Sequence, residues 1–464
     1  MRKPWAKRHF EYIMGNPPFS GARWMGKEQK DDMLSVFGKD WQGVGDLDYV
    51  TAWYKKAVDF VSATKDTGRT GVAFVSTNSI CQGGAVINLW KPLFEMGLEI
   101  DFAHRTFRWD NESFEKAHVH CVIVGFHVAG KDGRVERVDH VENMADVSTR
   151  STCSTRLKII FDNGKAISAS HINGYLLDAP DIFIEKRMSP LCEVPAIFLG
   201  GQPIDDGGLT LTVEEKDSLL DREPQAKPFL RQFMMGKDFI NRRPRWCLWL
   251  KDADISLVRA CPEVMSRIRK VREFRLGSKR ESTLRSAETP ALFGAPVELA
   301  TDYVALPKVS SENRRYIPMD YLSRDVIPGD KLFVMPDASH YHFGVLMSSV
   351  HMAWTRATCG RLEMRLSYSN TIVYNNFPWP LCDSAALREK ISQTAKGILD
   401  ARAKYPNATL ADLYDSDAMH LAPDLVAAHA ANDRAVLAAY GLKPDTPEPE
   451  IVAHLFKLYA EMVS

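Results

Sequence analysis

Tyr12-Ile13-Met14-Gly15-Asn16-Pro17-Pro18-Phe19 is the stretch on which the reading of this chain turns. Its apolar triplet closes a strand, Gly15 frees the backbone, and two consecutive prolines can continue neither a central strand ladder nor a helix. A strand that runs into a stiff loop is therefore expected. Outward from it, Asp48 to Ser62 carries apolar residues at helical spacing, Val72 to Val75 reads as a strand and Val86 to Glu95 as a second helix. Val119 to Phe126 then has the continuous apolar character of a buried strand. Strands alternating with amphipathic helices predict an α/β sheet with crossover helices.

Beyond residue 150 the pattern changes. Gly- and Asp-containing turns crowd residues 151–223, including Gly200-Gly201 and Asp205-Asp206-Gly207-Gly208, as in a connector. Residues 224–380 mix a basic segment with strand-like runs such as Tyr303 to Val309 and Leu362 to Tyr368, as expected of an α+β module. From 381 to 464 Ala and Leu recur at helical period between prolines, which predicts a small helical domain. The catalytic unit implied by the opening stretch then occupies residues 1–150.

The 464 residues, 45% hydrophobic and 10% aromatic, fit a globular protein of several domains and exclude a disordered or disulfide-stapled one. The longest apolar run, around Val119 to Val128, is too short to span a bilayer, and no apolar stretch with a cleavage site follows the basic Met1 to Phe10. A cytoplasmic protein with no membrane partner is expected. The eight cysteines stand singly and read as reduced, mostly buried thiols. His118 with His120, and His340 with His342, lack a third ligand nearby, so no metal site is expected. Pro180-Asp181 with Glu185-Lys186 has nuclease-like letters without the Glu-x-Lys spacing and is set aside. The net charge is zero, but Asn241 to Arg285 holds thirteen Lys or Arg against five acids, an imbalance suited to neutralising phosphates or to a solvated helix face.

The four residues Asn16 to Phe19 carry chemistry as well as structure. An exocyclic amine on a nucleobase is a poor nucleophile because its lone pair is delocalised into the ring. Two acceptors that take hydrogen bonds from its two N–H groups push it toward tetrahedral geometry. The Asn16 amide oxygen can be one and the Pro17 carbonyl the other, held in place by Pro18, while Phe19 stacks on the base. Such a base must leave the duplex to be reached. An Asx-capped turn is the alternative reading of the four residues alone.

Asn and Phe, in place of Ser and Trp, resemble the amino-methyltransferases that act on adenine. More of the chain follows suit. Gly45 to Val50, Trp53 to Ala57, Phe74 to Ile80 with Gln82-Gly83, Phe102 to Phe107 with Trp109, and Ala117 to Phe126 are similar to the later methyltransferase motifs of the MmeI family of type IIL restriction-modification enzymes. Arg245 to Leu250, Ser310 to Pro318, Gly360 to Leu362, Tyr374 to Pro380 and Ala411 to Tyr414 resemble the family's later signatures. The resemblance implies a Rossmann-like, S-adenosylmethionine-dependent sheet, an α+β target-recognition domain and a helical C-terminal domain. It implies adenine-N6 methylation of duplex DNA within a restriction-modification system. The family's Gly-rich cofactor loop lies well before Asn-Pro-Pro-Phe, whereas fifteen residues precede Asn16 here. The resemblance therefore implies a sheet lacking its first strands, with the main cofactor cradle on an upstream chain or absent. Asp46 and Leu47 are the candidates left for touching the cofactor.

Gly360 to Ser369 alternates apolar and polar residues, predicting a strand with Leu362, Met364, Leu366 and Tyr368 on a core face. Arg365 can fork onto guanine O6 and N7, Glu363 can accept from cytosine N4, and Ser367 shares their row. The family's base-specifying residues fall at this Glu-x-Arg; an exposed cross-face ion pair is the alternative. Arg242, Arg243, Arg245, Arg267, Arg269, Lys270, Arg272, Arg275, Lys279 and Arg280 are the phosphate-contact candidates. A DNA-binding module without methyl transfer is the competing function.

Overall fold

The computed structural model describes residues 10–64, 69–109, 119–129, 157–162, 164–381 and 384–464. Two compact units emerge, one of residues 1–186, 357–364 and 452–464, the other of 187–356 and 365–451.

In the first unit the expected strand–loop begins a mixed sheet. Its elements are β1 (Tyr12–Gly15), α1 (Lys27–Phe37), α2 (Thr51–Ala63), β2 (Gly71–Thr77), α3 (Gly84–Glu95), β3 (Leu98–Trp109), β4 (Val119–Val128), β5 (Lys158–Asp162) and β6 (Lys165–Ala169). The order across the sheet is β1-β2-β4-β3-β5-β6. β1 and β2 are parallel, with Gly15 opposite Phe74, as a crossover through α1 and α2 requires. β4 lies antiparallel between β2 and β3. This central place explains its near-continuous apolar run, since both faces are covered. There Gly125 is obligatory: a Cβ would sit 2.0 Å from the Phe102 ring.

α2 buries Ala52, Tyr54, Ala57, Val58 and Val61 on this sheet. Tyr54 stacks on Phe126 and meets Phe74 and Trp90 edge-on, and its hydroxyl shares a 2.8 Å hydrogen bond with Ser76. Burial pushes the Tyr54 hydroxyl pKa well up, so it stays neutral. The edge strand β1 differs: Tyr12 is 56% and Met14 78% exposed.

The second unit builds two four-stranded sheets. One runs Ile327–Pro328, Leu230–Met234, Arg245–Leu248, Thr210–Leu211, the other Asp320–Leu322, Tyr303–Pro307, Leu332–Pro336, Phe198–Leu199. Tyr303 to Pro307 is a wholly buried strand, as its composition predicts. Helix Pro262–Leu276 turns Val264, Ile268 and Val271 into a core with Leu209, Leu248 and Trp249. Helices Ala385–Ala403 and Pro423–Ala439 pack together in the Ala- and Leu-rich region. No helix of the described residues is long and apolar enough to cross a membrane.

The alternating stretch 360–369 is not one strand. Gly360–Leu362 and Arg365–Ser367 are strands, separated by a turn at Glu363 and Met364, with Glu363 at φ 59°. The turn resets the alternation: Leu366 and Tyr368 are buried as expected, but Leu362 is 45% exposed and Met364 only half-buried.

Candidate functional site

Asn16 precedes Pro17, and Pro17 precedes Pro18, so both residues are held to extended backbone by the ring that follows. The loop therefore leaves β1 as a stiff continuation. Asn16, Pro17 and Pro18 line an open cavity of about 740 Å³, shared with Tyr12, Met14, Trp53, Lys56, Phe60 and Phe74. Pro17 is buried, Asn16 exposed, and the Asn16 amide has no hydrogen-bond partner among the described residues. Phe19 is half-buried and lies outside this lining. Three of the four motif residues thus face one cavity and the fourth does not.

What braces the loop is Asp48. One carboxylate oxygen accepts the Ala22 N–H at 2.8 Å; the other accepts the hydroxyls of Ser79, at very short range, and of Thr77 at 3.4 Å. The Tyr49 N–H donates to the Ser20 carbonyl at 2.9 Å. One carboxylate thereby ties the chain after Phe19 to the carboxyl end of β2. Sequence reasoning took Gly45 to Val50 as a signature but put the weight on Asp46 and Leu47. Asp46 points outward, 3.5 Å from the Lys186 ammonium, and Leu47 is fully buried. Neither lines the cavity, and among the described residues no carboxylate does.

The basic segment divides by partner. Arg275, placed among the phosphate contacts, is corrected: it is 0% exposed and donates to the carbonyls of Ile204, Ser286, Thr289, Pro203 and Leu292 at 2.7 to 3.1 Å. It continues the helix stripe Val264, Ile268, Val271, which brings position 275 to the core. Arg267 and Lys270 brace the turn before Leu209, donating to the Gly207 and Asp206 carbonyls at 3.1 and 2.6 Å. Arg242 donates to the Pro406 carbonyl at 2.8 Å, and Arg245 lies 3.9 Å from Asp238. Arg243, Arg269, Arg272, Lys279 and Arg280 are exposed.

Glu363 is exposed on its turn, whereas Arg365 and Ser367 are half-buried, Ser367 opposite Val309 in an antiparallel pair. His342 caps its own helix through Ser339, and no cluster of His, Cys, Asp or Glu among the described residues could hold a metal ion. His118 and residues 110–117 lie outside the described residues. All six cysteines among the described residues are free thiols, and burial pushes Cys81 up to about 12.

This architecture has relatives. The family model of the MmeI DNA-methyltransferase domain matches residues 2–137, that of the MmeI target recognition domain 178–381 and that of the MmeI C-terminal domain 384–464. DNA methyltransferase A of Bacillus subtilis (strain 168) is 35% identical over 451 residues, 97% of this chain and 48% of that protein. The solved structure of the type IIL restriction-modification enzyme MmeI in complex with DNA superposes with a TM-score of 0.84 at 40% identity, covering 97% of this chain and 57% of that one. A methyltransferase-type sheet joined to a target-recognition fold and a helical domain defines the class. The chain belongs to the MmeI-like, type IIL family. It spans about half the length of the relatives it matches.

Proposed function

We propose that this chain acts on duplex DNA as part of a restriction-modification methyltransferase, methylating adenine at N6 with S-adenosylmethionine as donor. The observation that carries the reading is the cavity of about 740 Å³ rimmed by Asn16 and Pro17, roomy enough for a purine, with the Asn16 amide unpartnered among the described residues. A flipped adenine placed there donates one amine N–H to the Asn16 side-chain oxygen and the other to the Pro17 carbonyl. Hydrogen bonds donated by both N–H groups, with the protons kept on nitrogen, localise its lone pair for attack on the donor's methyl group. Tyr12, Phe60 and Phe74 give the cavity an apolar wall against which the base can lie. Phe19 stacks on the base once it turns from its half-buried position.

Specificity falls to Glu363, Arg365 and Ser367 within a reading module of residues 224–380. The phosphate contacts narrow to the exposed Arg243, Arg269, Arg272, Lys279 and Arg280, which set orientation without reading sequence. Incubation with duplex DNA and tritiated methyl donor tests the activity. Label that survives Asn16→Ala would sink the assignment.

The competing reading is a DNA-binding specificity module without transfer, which needs only the exposed basic residues named above. Isothermal titration of S-adenosylmethionine into the chain separates the two. Tight binding supports the enzyme; no binding, with DNA still bound, supports the module.

A further inference from the structure

An indole with no cover stands five residues beyond the motif. Trp24 is 87% exposed, although a tryptophan ordinarily removes 150–250 Å² from water on folding. Its backbone is not loose. The turn Gly21 to Trp24 is closed by the Trp24 N–H to the Gly21 carbonyl at 2.8 Å and fastened by the Ala22 N–H to Asp48. The next residue, Met25, is buried and pins the far side. Among the described residues the indole has no hydrogen bond or ring contact, and neither it nor the exposed Arg23 beside it has an ion or cation partner. A rigid turn that shows water one aromatic plane and one guanidinium matches the chemistry of a nucleic acid: bases stack on the plane, and a phosphate pairs with the cation.

We propose that Trp24 stacks on the duplex bases bordering the flipped nucleotide and fills the gap that nucleotide leaves, with Arg23 on the adjoining phosphate. The proposal rests on the DNA reading above. It adds a base-stacking residue distinct from Phe19: Phe19 faces the extruded base, Trp24 the stack left behind.

The probe is a mixed-sequence duplex with one tetrahydrofuran abasic site, compared with the same duplex intact, bound to the full chain at fixed salt and followed by fluorescence anisotropy. The abasic duplex offers the gap ready-made, so the chain should bind it about tenfold more tightly. Trp24→Ala should abolish that preference with a nearly unchanged melting temperature, since the ring is 87% exposed, and Trp24→Phe should restore part of it. Arg23→Ala should weaken both duplexes alike. Trp24→Ala that keeps the preference, or a parent chain that shows none, overturns the proposal. A parent chain that binds neither duplex overturns the DNA reading beneath it. Asn16→Ala keeps the preference while losing methyl transfer, so the two ideas fail separately.

Discussion

The end of β1 and the basic helix treat polar groups in opposite ways. At Asn16 an amide with no partner among the described residues stands at the rim of an open cavity, while at Arg275 five carbonyls surround a guanidinium with no access to water. Arg402 follows Arg275: it donates to the Tyr414 hydroxyl at 2.8 and 2.5 Å and to the Met319 carbonyl at 2.7 Å. A buried cation surrounded by acceptors, all of them neutral at Arg275 and including the Asp320 carboxylate at 3.7 Å for Arg402, has spent its hydrogen-bonding capacity on the chain itself, and a group beside a cavity with no partner among the described residues has not. Residue type alone does not tell the two apart; partners do.

The strongest way to break this contrast is Asn16→Ala. Methyl labelling should fall by a factor on the order of 1000 while DNA affinity holds, because one of two amine acceptors is gone. Equal labelling would mean the free amide is idle. Next, Arg275→Ala should lower the unfolding free energy by about 3–5 kcal/mol in urea titrations, five carbonyls being stranded. Unchanged stability with weakened DNA binding would return Arg275 to the phosphate set. A third measurement uses His351, fully buried, whose Nδ1–H donates to the Leu346 carbonyl and whose Nε2 accepts from the Tyr368 hydroxyl, both at 2.9 Å. Burial pulls its pKa down to about 4. A depressed histidine contributes stability that is whole above the unfolded value near 6.5 and is lost as pH falls toward 4, in all about 3 kcal/mol. His351→Gln should flatten the stability profile between pH 6.5 and 4, and a profile of the same slope would contradict this. The smallest effect on stability is Arg272→Ala, under about 0.5 kcal/mol, with the salt slope of DNA binding reduced by about one. An unaltered slope removes Arg272 from the phosphate set.

Much of the first unit was legible because its elements are continuous. β1, α2, β2, α3 and β4 each carry an unbroken period, and two prolines mark where β1 ends. β3 was recognised only as a set of family-like residues. Its register shifts between Ile100 and Phe102 and between His104 and Phe107, so the period-two signal changes phase twice within one strand. The same cause broke the reading of 360–369, where a turn lies inside an apparently perfect alternation. Arg275 was recoverable, since positions 264, 268, 271 and 275 share one helix face. Asp48 was not, because its partners Ala22, Thr77 and Ser79 come together only through the β1–β2 pairing.

The left-handed backbone at Glu363 has a bearing on how this chain can diverge. Glycine, asparagine and aspartate adopt that conformation with little penalty, and valine, isoleucine and threonine resist it. Drift at position 363 is thereby channelled through a short alphabet of side chains, while position 365, in ordinary extended backbone, samples a wider one. Libraries that randomise both positions should return a skewed repertoire at the first and a broad one at the second.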